Sequence, residues 1–180
     1  GARVGDTGAG KTTVLKLLAR MYEPQSGRIL IDGTDIREIP RAELRRHMAF
    51  VLQDVFLFTG DLAYNVSLGR PEITAAEIES AARTVHLEEF VRRLPLGYAQ
   101  PVHERGQNFS VGERQLLSFA RALAQKPEIL LLDEATSSVD TETEALIQDA
   151  LHTLLSGKTS IVVAHRLSTI QDVDRIYVLH

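Results

Sequence analysis

An α/β fold with a largely parallel sheet is what this chain predicts, and three observations carry it. Apolar, β-prone runs alternate with helical patterns along the whole length. Residues 5–12, Gly-Asp-Thr-Gly-Ala-Gly-Lys-Thr, form a glycine-rich loop set between a strand and a helix. Residues 129–132 are a continuous apolar run that ends in the acids Asp133 and Glu134, which suits a central strand covered on both faces.

The elements follow in order. Residues 2–4 read as the tail of a strand, and residues 12–21 as a helix with Val14, Leu15, Leu17 and Leu18 on its buried side. A strand over 27–31 stops at the turn signal Asp32-Gly33, and another spans 48–52. Thr74 and Glu77 form a capping-box pattern that opens a helix to about His86. Residues 87–94 continue it until Pro95 and Gly97 end it. The sheet resumes at 129–132. A helix over 141–155, closed by Gly157, leads to a strand over 160–164, and residues 176–180 read as a last strand. The helical texture between the two strand-rich parts divides the chain into 1–53, first part of a strand-rich core, 54–118, an inserted all-helical subdomain, and 119–180, the second part of the core.

Composition excludes several classes. Hydrophobic residues make up 44% and charged residues 24%, as in ordinary globular domains. A net charge of -4 is unlike an electrostatic nucleic-acid binder, so no nucleic-acid partner is expected. There is no cysteine, hence no disulfide framework and no thiolate metal site. No apolar run approaches the ~18–20 residues needed to span a bilayer. The chain opens at Gly1, without Met, within a few residues of the glycine-rich loop, and is expected to be a fragment of a longer polypeptide.

Two segments point to phosphate chemistry. Gly5, Gly8 and Gly10 let the backbone around Asp6, Thr7 and Ala9 curl so that successive N–H groups face the phosphates of a nucleotide. The helix that begins near Thr12 and Thr13 aims its positive end at the same place. Lys11 supplies a point charge, and the Thr12 hydroxyl can ligate Mg²⁺. The plainer alternative is a glycine-rich turn without a ligand. At the other segment, Asp133 stands where ligands of parallel sheets bind, beyond the carboxyl ends of the strands, and is expected to hold Mg²⁺. Glu134 is expected to polarise an attacking water. The alternative is two solvated acids capping the next element.

Residues 108–115, Asn-Phe-Ser-Val-Gly-Glu-Arg-Gln, bring these together. They resemble the signature sequence of ABC ATPases, usually Leu-Ser-Gly-Gly-Gln, with Phe109, Val111 and Glu113 departing from the commonest form and Ser110 and Gly112 kept. Ser110 and Glu113 also make a second capping box. The resemblance extends along the chain. Gln53 resembles the glutamine that senses Mg²⁺ and the nucleophilic water. Ser137-Ser-Val-Asp140 is similar to the loop that crosses the dimer interface, and His165 resembles the switch histidine that contacts the γ-phosphate. Residues 54–61 and Glu104-Arg105-Gly106 resemble the exporter branch, especially lipid and multidrug exporters. The resemblance implies a P-loop NTPase (RecA-like) core that binds ATP with Mg²⁺. It implies a head-to-tail partner ABC ATPase domain, with Ser110, Gly112 and Asp140 at the shared nucleotide. It also implies a transmembrane domain as partner, placing the domain at the cytoplasmic face of the inner membrane.

Three other readings compete. A soluble ABC ATPase acting on DNA needs a long coiled-coil insertion between Gln53 and Ser110, and that interval is short and lacks heptads. A ribosome-binding member carries two such domains and a basic linker. A non-hydrolysing regulatory partner is opposed by Glu134 and His165, one of which degenerate sites in the family typically lose.

Overall fold

The computed structural model describes residues 2–5, 11–133, 140–164 and 173–179. The chain divides into two compact units, the first comprising Gly1–Gln53, Pro127–Ala135 and Lys158–His180, the second Asp54–Lys126 and Thr136–Gly157. Along the first unit run β1 (Ala2–Gly5), α1 (Lys11–Leu18), β2 (Leu30–Ile31), β3 (Thr34–Asp35), α2 (Arg41–Arg46) and β4 (Met48–Val51). The second unit begins with β5 (Gly60–Asp61), α3 (Leu62–Ser67), α4 (Ala75–Thr84), α5 (Glu88–Arg93), β6 (Pro101–Val102) and α6 (Val111–Ala124). Then β7 (Ile129–Asp133) returns to the first, α7 (Thr141–Leu155) joins the second, and β8 (Thr159–Val163) and β9 (Ile176–Leu179) complete the first.

The sheet of the first unit has the order β4-β7-β8-β1-β9, and every pairing in it is parallel. β7 lies between β4 and β8, and Leu130, Leu131 and Leu132 are each at most 1% exposed. That is why its sequence is a run of leucines rather than an alternation: side chains on both faces leave water. On one face Met48, Leu131 and Val163 pack with Leu15 and Ala19 around α1, and with Ile36 and Leu44 around α2.

Some expected elements are shorter in the structure. α1 stops at Leu18 rather than at residue 21, because Arg20 turns left-handed at φ 51°. Its Nη1 donates to the carbonyls of Ile36 at 2.9 Å and Ile39 at 2.7 Å, fastening the helix end to the β3–α2 connection. Of the four apolar residues assigned to its inner side only Leu15 is fully buried, while Val14, Leu17 and Leu18 are half-buried. The strand expected over 27–31 is confined to Leu30–Ile31, since Gly27 has φ +79° and cannot continue a strand. Asp32 at φ 49° and Gly33 at φ 84° form the two-residue turn that the Asp-Gly pair announced, pairing Ile31 with Thr34.

In the second unit α6 is the central helix, touching α3, α4 and α7. Leu116, Leu117, Phe119, Ala120 and Ala122 are buried along it. The helical segment drawn as 54–118 extends by packing to Lys126, because α6 runs unbroken past Ser118, and α7 joins it by lying against α6. A two-residue antiparallel pair, β5 with β6, stands among the helices. Both capping boxes are present, at Thr74–Glu77 and Ser110–Glu113. The helix expected to continue through residue 87 is broken there. Val85 and Leu87 are 0% exposed, and the chain can tuck both inward only by turning His86 left-handed at φ 60°. α7 ends where Gly157, at φ +70°, supplies the left-handed residue that closes so many helices.

Candidate functional site

The site of the first unit is built from the carboxyl end of β7 and the first turn of α1. Lys11 and Thr12 open α1 directly after the glycine-rich loop. Thr12 Oγ1 donates to Asp133 Oδ2 at 2.8 Å, joining residues 121 positions apart. Asp133 is only 5% exposed, and its other oxygen, Oδ1, is buried without a hydrogen-bond partner among the described residues. Lys11 is 7% exposed, a strongly buried position for an ammonium group. A buried carboxylate oxygen without a donor is an expensive arrangement unless a cation or a ligand completes it.

The remaining predicted residues fall into three sets. Gly5 closes β1, in register with Leu179 of β9. Gln53 lies just past β4, whose Val51 pairs with Leu132 of β7; it is exposed and borders the carboxyl end where Asp133 stands. Thr13 is exposed on the first turn of α1. In the second unit, Ser110 is the exposed N-cap of α6, its side chain accepting from the Glu113 N–H at 3.2 Å, and Gly112 is buried in the first turn. Asp140 caps α7, accepting from the Thr143 N–H at 2.9 Å, and that hydrogen bond holds its carboxyl below the usual range. Asp6, Thr7, Gly8, Ala9, Gly10, Glu134 and His165 lie outside the described residues.

The donor set fits a magnesium ion better than a metal caged by protein. Among the described residues no group of three or more His, Cys, Asp or Glu converges. Mg²⁺ is ordinarily held by one or two protein oxygens, with water and phosphate supplying the rest. A cavity of about 560 Å³ lies at the other end of the same sheet, beside Met48, Ile129 and Thr159, the first residues of β4, β7 and β8. It is thus removed from the carboxyl ends, where parallel sheets bind ligands.

Two residues that the sequence reading passed over emerge here: Asn65, fully buried on α3, and Arg121, half-buried on α6. The signal was available as a lone arginine inside the small and apolar stretch 116–124. Among the described residues no helix is long and apolar enough to cross a membrane.

Comparison with known proteins gives the family. The family model described as ABC transporter matches residues 2–137. An uncharacterized ABC transporter ATP-binding protein of Bacillus subtilis is 53% identical over 99% of this chain, which covers 30% of that protein. The fatty acid ABC transporter ATP-binding/permease protein of Mycobacterium bovis is 54% identical over 99% of this chain and 28% of its own length. The ATP-dependent lipid A-core flippase of Chromobacterium violaceum is 47% identical over 99% of this chain and 31% of its own. A solved structure of a bacterial Atm1-family ABC exporter with ATP bound superposes with a TM-score of 0.90 at 46% identity, over 99% of this chain and 31% of that one. The chain therefore spans about three tenths of the length of these relatives. With a P-loop core, a mostly parallel sheet and this similarity over nearly its whole length, the chain belongs to the ABC transporter family, as an ATP-binding domain of its ATPases.

Proposed function

We propose that this domain is the ATP-hydrolysing motor of an ABC exporter. It works as a head-to-tail pair and drives transport through a transmembrane domain of the same or a partner chain, at the cytoplasmic face of the membrane. The observation that carries the reading is the contact of Thr12 with Asp133 at 2.8 Å, beside a buried carboxylate oxygen that has no partner among the described residues. The relatives' names, ATP-binding/permease protein, flippase and exporter, support the coupling to transport.

The roles follow from the chemistry. Gly5, Asp6, Thr7, Gly8, Ala9 and Gly10, with Thr13, wrap the phosphates through backbone N–H groups at the start of α1. Lys11 neutralises charge on the β- and γ-phosphates. Thr12, Asp133 and Gln53 would hold Mg²⁺, which when bound draws off negative charge from the phosphate oxygens. Glu134 orients a water and takes its proton as the water oxygen bonds to the γ-phosphorus. The bond to the bridging oxygen breaks, ADP leaves with that electron pair, and inorganic phosphate is released. His165 contacts the γ-phosphate, while Ser110 and Gly112 of the opposing domain close over it, with Asp140 at the interface. Residues 54–118 act as the helical subdomain that carries Ser110 and Gly112 towards the partner.

The test uses the complete protein with Glu134→Gln. Mg-ATP binding is expected to stay near wild type while steady-state phosphate release falls by about 10²–10⁴-fold, the usual worth of a positioned base. Under the same ATP-trapped condition, cysteines placed at Ser110 and in the phosphate loop are expected to cross-link between domains. Wild-type phosphate release in the variant excludes Glu134, and absence of the cross-link excludes the head-to-tail pair.

A further inference from the structure

A polar network in the second unit takes no part in the roles assigned above. Asn65, 0% exposed, holds both sides of one backbone position. Its Oδ1 accepts from the Phe58 N–H at 2.8 Å, and its Nδ2 donates to the carbonyls of Phe58 at 2.8 Å and Asp61 at 3.0 Å. Arg121 of α6 closes the network. Its Nε donates to the Asn65 carbonyl at 2.7 Å, its Nη1 to the Phe56 carbonyl at 3.0 Å and its Nη2 to Asn65 Oδ1 at 3.2 Å. The same guanidinium sits 5.8 Å from the centroid of the Phe58 ring.

The arrangement is more than packing requires. All three guanidinium nitrogens of Arg121 are committed to oxygens of α3 and of segment 56–61, and none of the ion pairs among the described residues includes it. Burial pulls its guanidinium down to about 10, which still leaves it charged at neutral pH. Removing a cation from water is costly, and an apolar side chain of similar volume often serves stability as well or better. What the planar fork adds is geometry: it fixes two chain segments at once. Leu57 is 1% exposed within that segment, while its neighbours Phe56 and Phe58 are held out at 53% and 42% exposure, edge to face with centroids 5.0 Å apart.

We propose that Arg121 is a positioning residue that joins segment 56–61 to α6 as one rigid body. The stretch that follows Gln53 and the helix capped by Ser110 then move together in the hydrolytic cycle. The catalytic consequence rests on the function proposed above; the mechanical one does not. Arg121 touches no reacting atom and acts only through the segment it holds.

The experiment is hydrogen exchange together with ATPase kinetics on the complete protein carrying Arg121→Met, Arg121→Lys or Asn65→Asp. Arg121→Lys keeps the cation without the fork and so serves should the methionine variant fail to fold, while Asn65→Asp keeps every Arg121 bond and removes only the two bonds that the amide donates. Exchange at 56–61 is expected to rise about tenfold or more, with α4 and α7 unchanged, because only the local opening is made easier. The kcat is expected to fall by about ten- to hundredfold with KM for ATP nearly constant, the mark of a misplaced but still liganded site. Arg121→Lys should recover part of both effects, since an ammonium can replace some of the donated bonds but not the fork. Unchanged exchange at 56–61 overturns the clamp, and so does a uniform rise over all helices, which means plain destabilisation. Raised local exchange with wild-type kcat overturns the catalytic link. A wild-type protein without ATPase activity would sink the proposed function while leaving the exchange result to decide the clamp.

Discussion

Gly106→Ala and Gly97→Ala form a matched pair that separates backbone strain from steric clash. Both glycines have positive φ, +69° and +53°, so alanine meets a similar left-handed penalty of about 1–2 kcal/mol at each. Part of that, about 0.4–1 kcal/mol, is returned because alanine also restricts the unfolded chain. The surroundings differ. A Cβ at Gly97 meets nothing within 4 Å, whereas one at Gly106 falls 2.6 Å from Leu57 Cδ1 and 3.2 Å from Arg114 Cδ. Relief requires Leu57 to move by roughly 1 Å, yet it is 1% exposed and flanked by the hydrogen-bonded residues Phe56 and Phe58. Arg114 is also tied, its Nη1 donating to the carbonyls of Gly106 at 3.3 Å and Phe109 at 2.6 Å. Overpacking of this kind costs about 1–3 kcal/mol. Gly97→Ala should therefore destabilise by about 1 kcal/mol or less, and Gly106→Ala by about 2–4 kcal/mol. In a chain of this size each kcal/mol lowers the thermal midpoint by about 2–4 °C. Urea and thermal unfolding of the two variants beside wild type measure the difference. If Gly106→Ala is no more destabilising than Gly97→Ala, the close approach of residue 106 to Leu57 does not limit the fold.

Two further outcomes follow from the same geometry. Lys11→Ala is expected to weaken ATP binding itself, by about ten- to hundredfold, because a charged hydrogen bond worth about 1.5–3 kcal/mol is lost in the ground state; an unchanged dissociation constant by calorimetry contradicts this. The Glu77 carboxyl is held down at about 2 by its hydrogen bond with the Lys126 ammonium and by the Thr74 N–H, against an ordinary 4.5. A depressed carboxylate stabilises the fold above its ordinary value and loses that contribution as pH falls towards 2. Lys126→Met should move the Glu77 titration up towards 4.5, as followed by NMR of its carboxyl carbon, and a midpoint that stays near 2 would leave the ion pair without effect.

What the sequence determined by itself is local or nearly so. Thr74 with Glu77 and Ser110 with Glu113 close their boxes within one helical turn, and their spacing alone announces them. Asp32-Gly33 and Gly157 were legible because few residues take positive φ without strain. The leucines of β7 declared a strand covered on both sides, since burial of both faces removes the alternation that exposure would impose. The phosphate-binding pattern was legible because its glycines, lysine and threonine are close neighbours in the chain. The tertiary structure alone decided which distant groups meet. Thr12 reaches Asp133 across 121 positions, and Arg121 reaches Phe56 across 65. It also decided that the helix through 86 breaks, because burying both Val85 and Leu87 outweighed the continuation that their helical pattern favoured. Spacing encodes contacts within a turn or a hairpin. Contacts between elements depend on how sheets and helices stack, and that is set by the sum of all buried side chains rather than by any segment that can be read on its own.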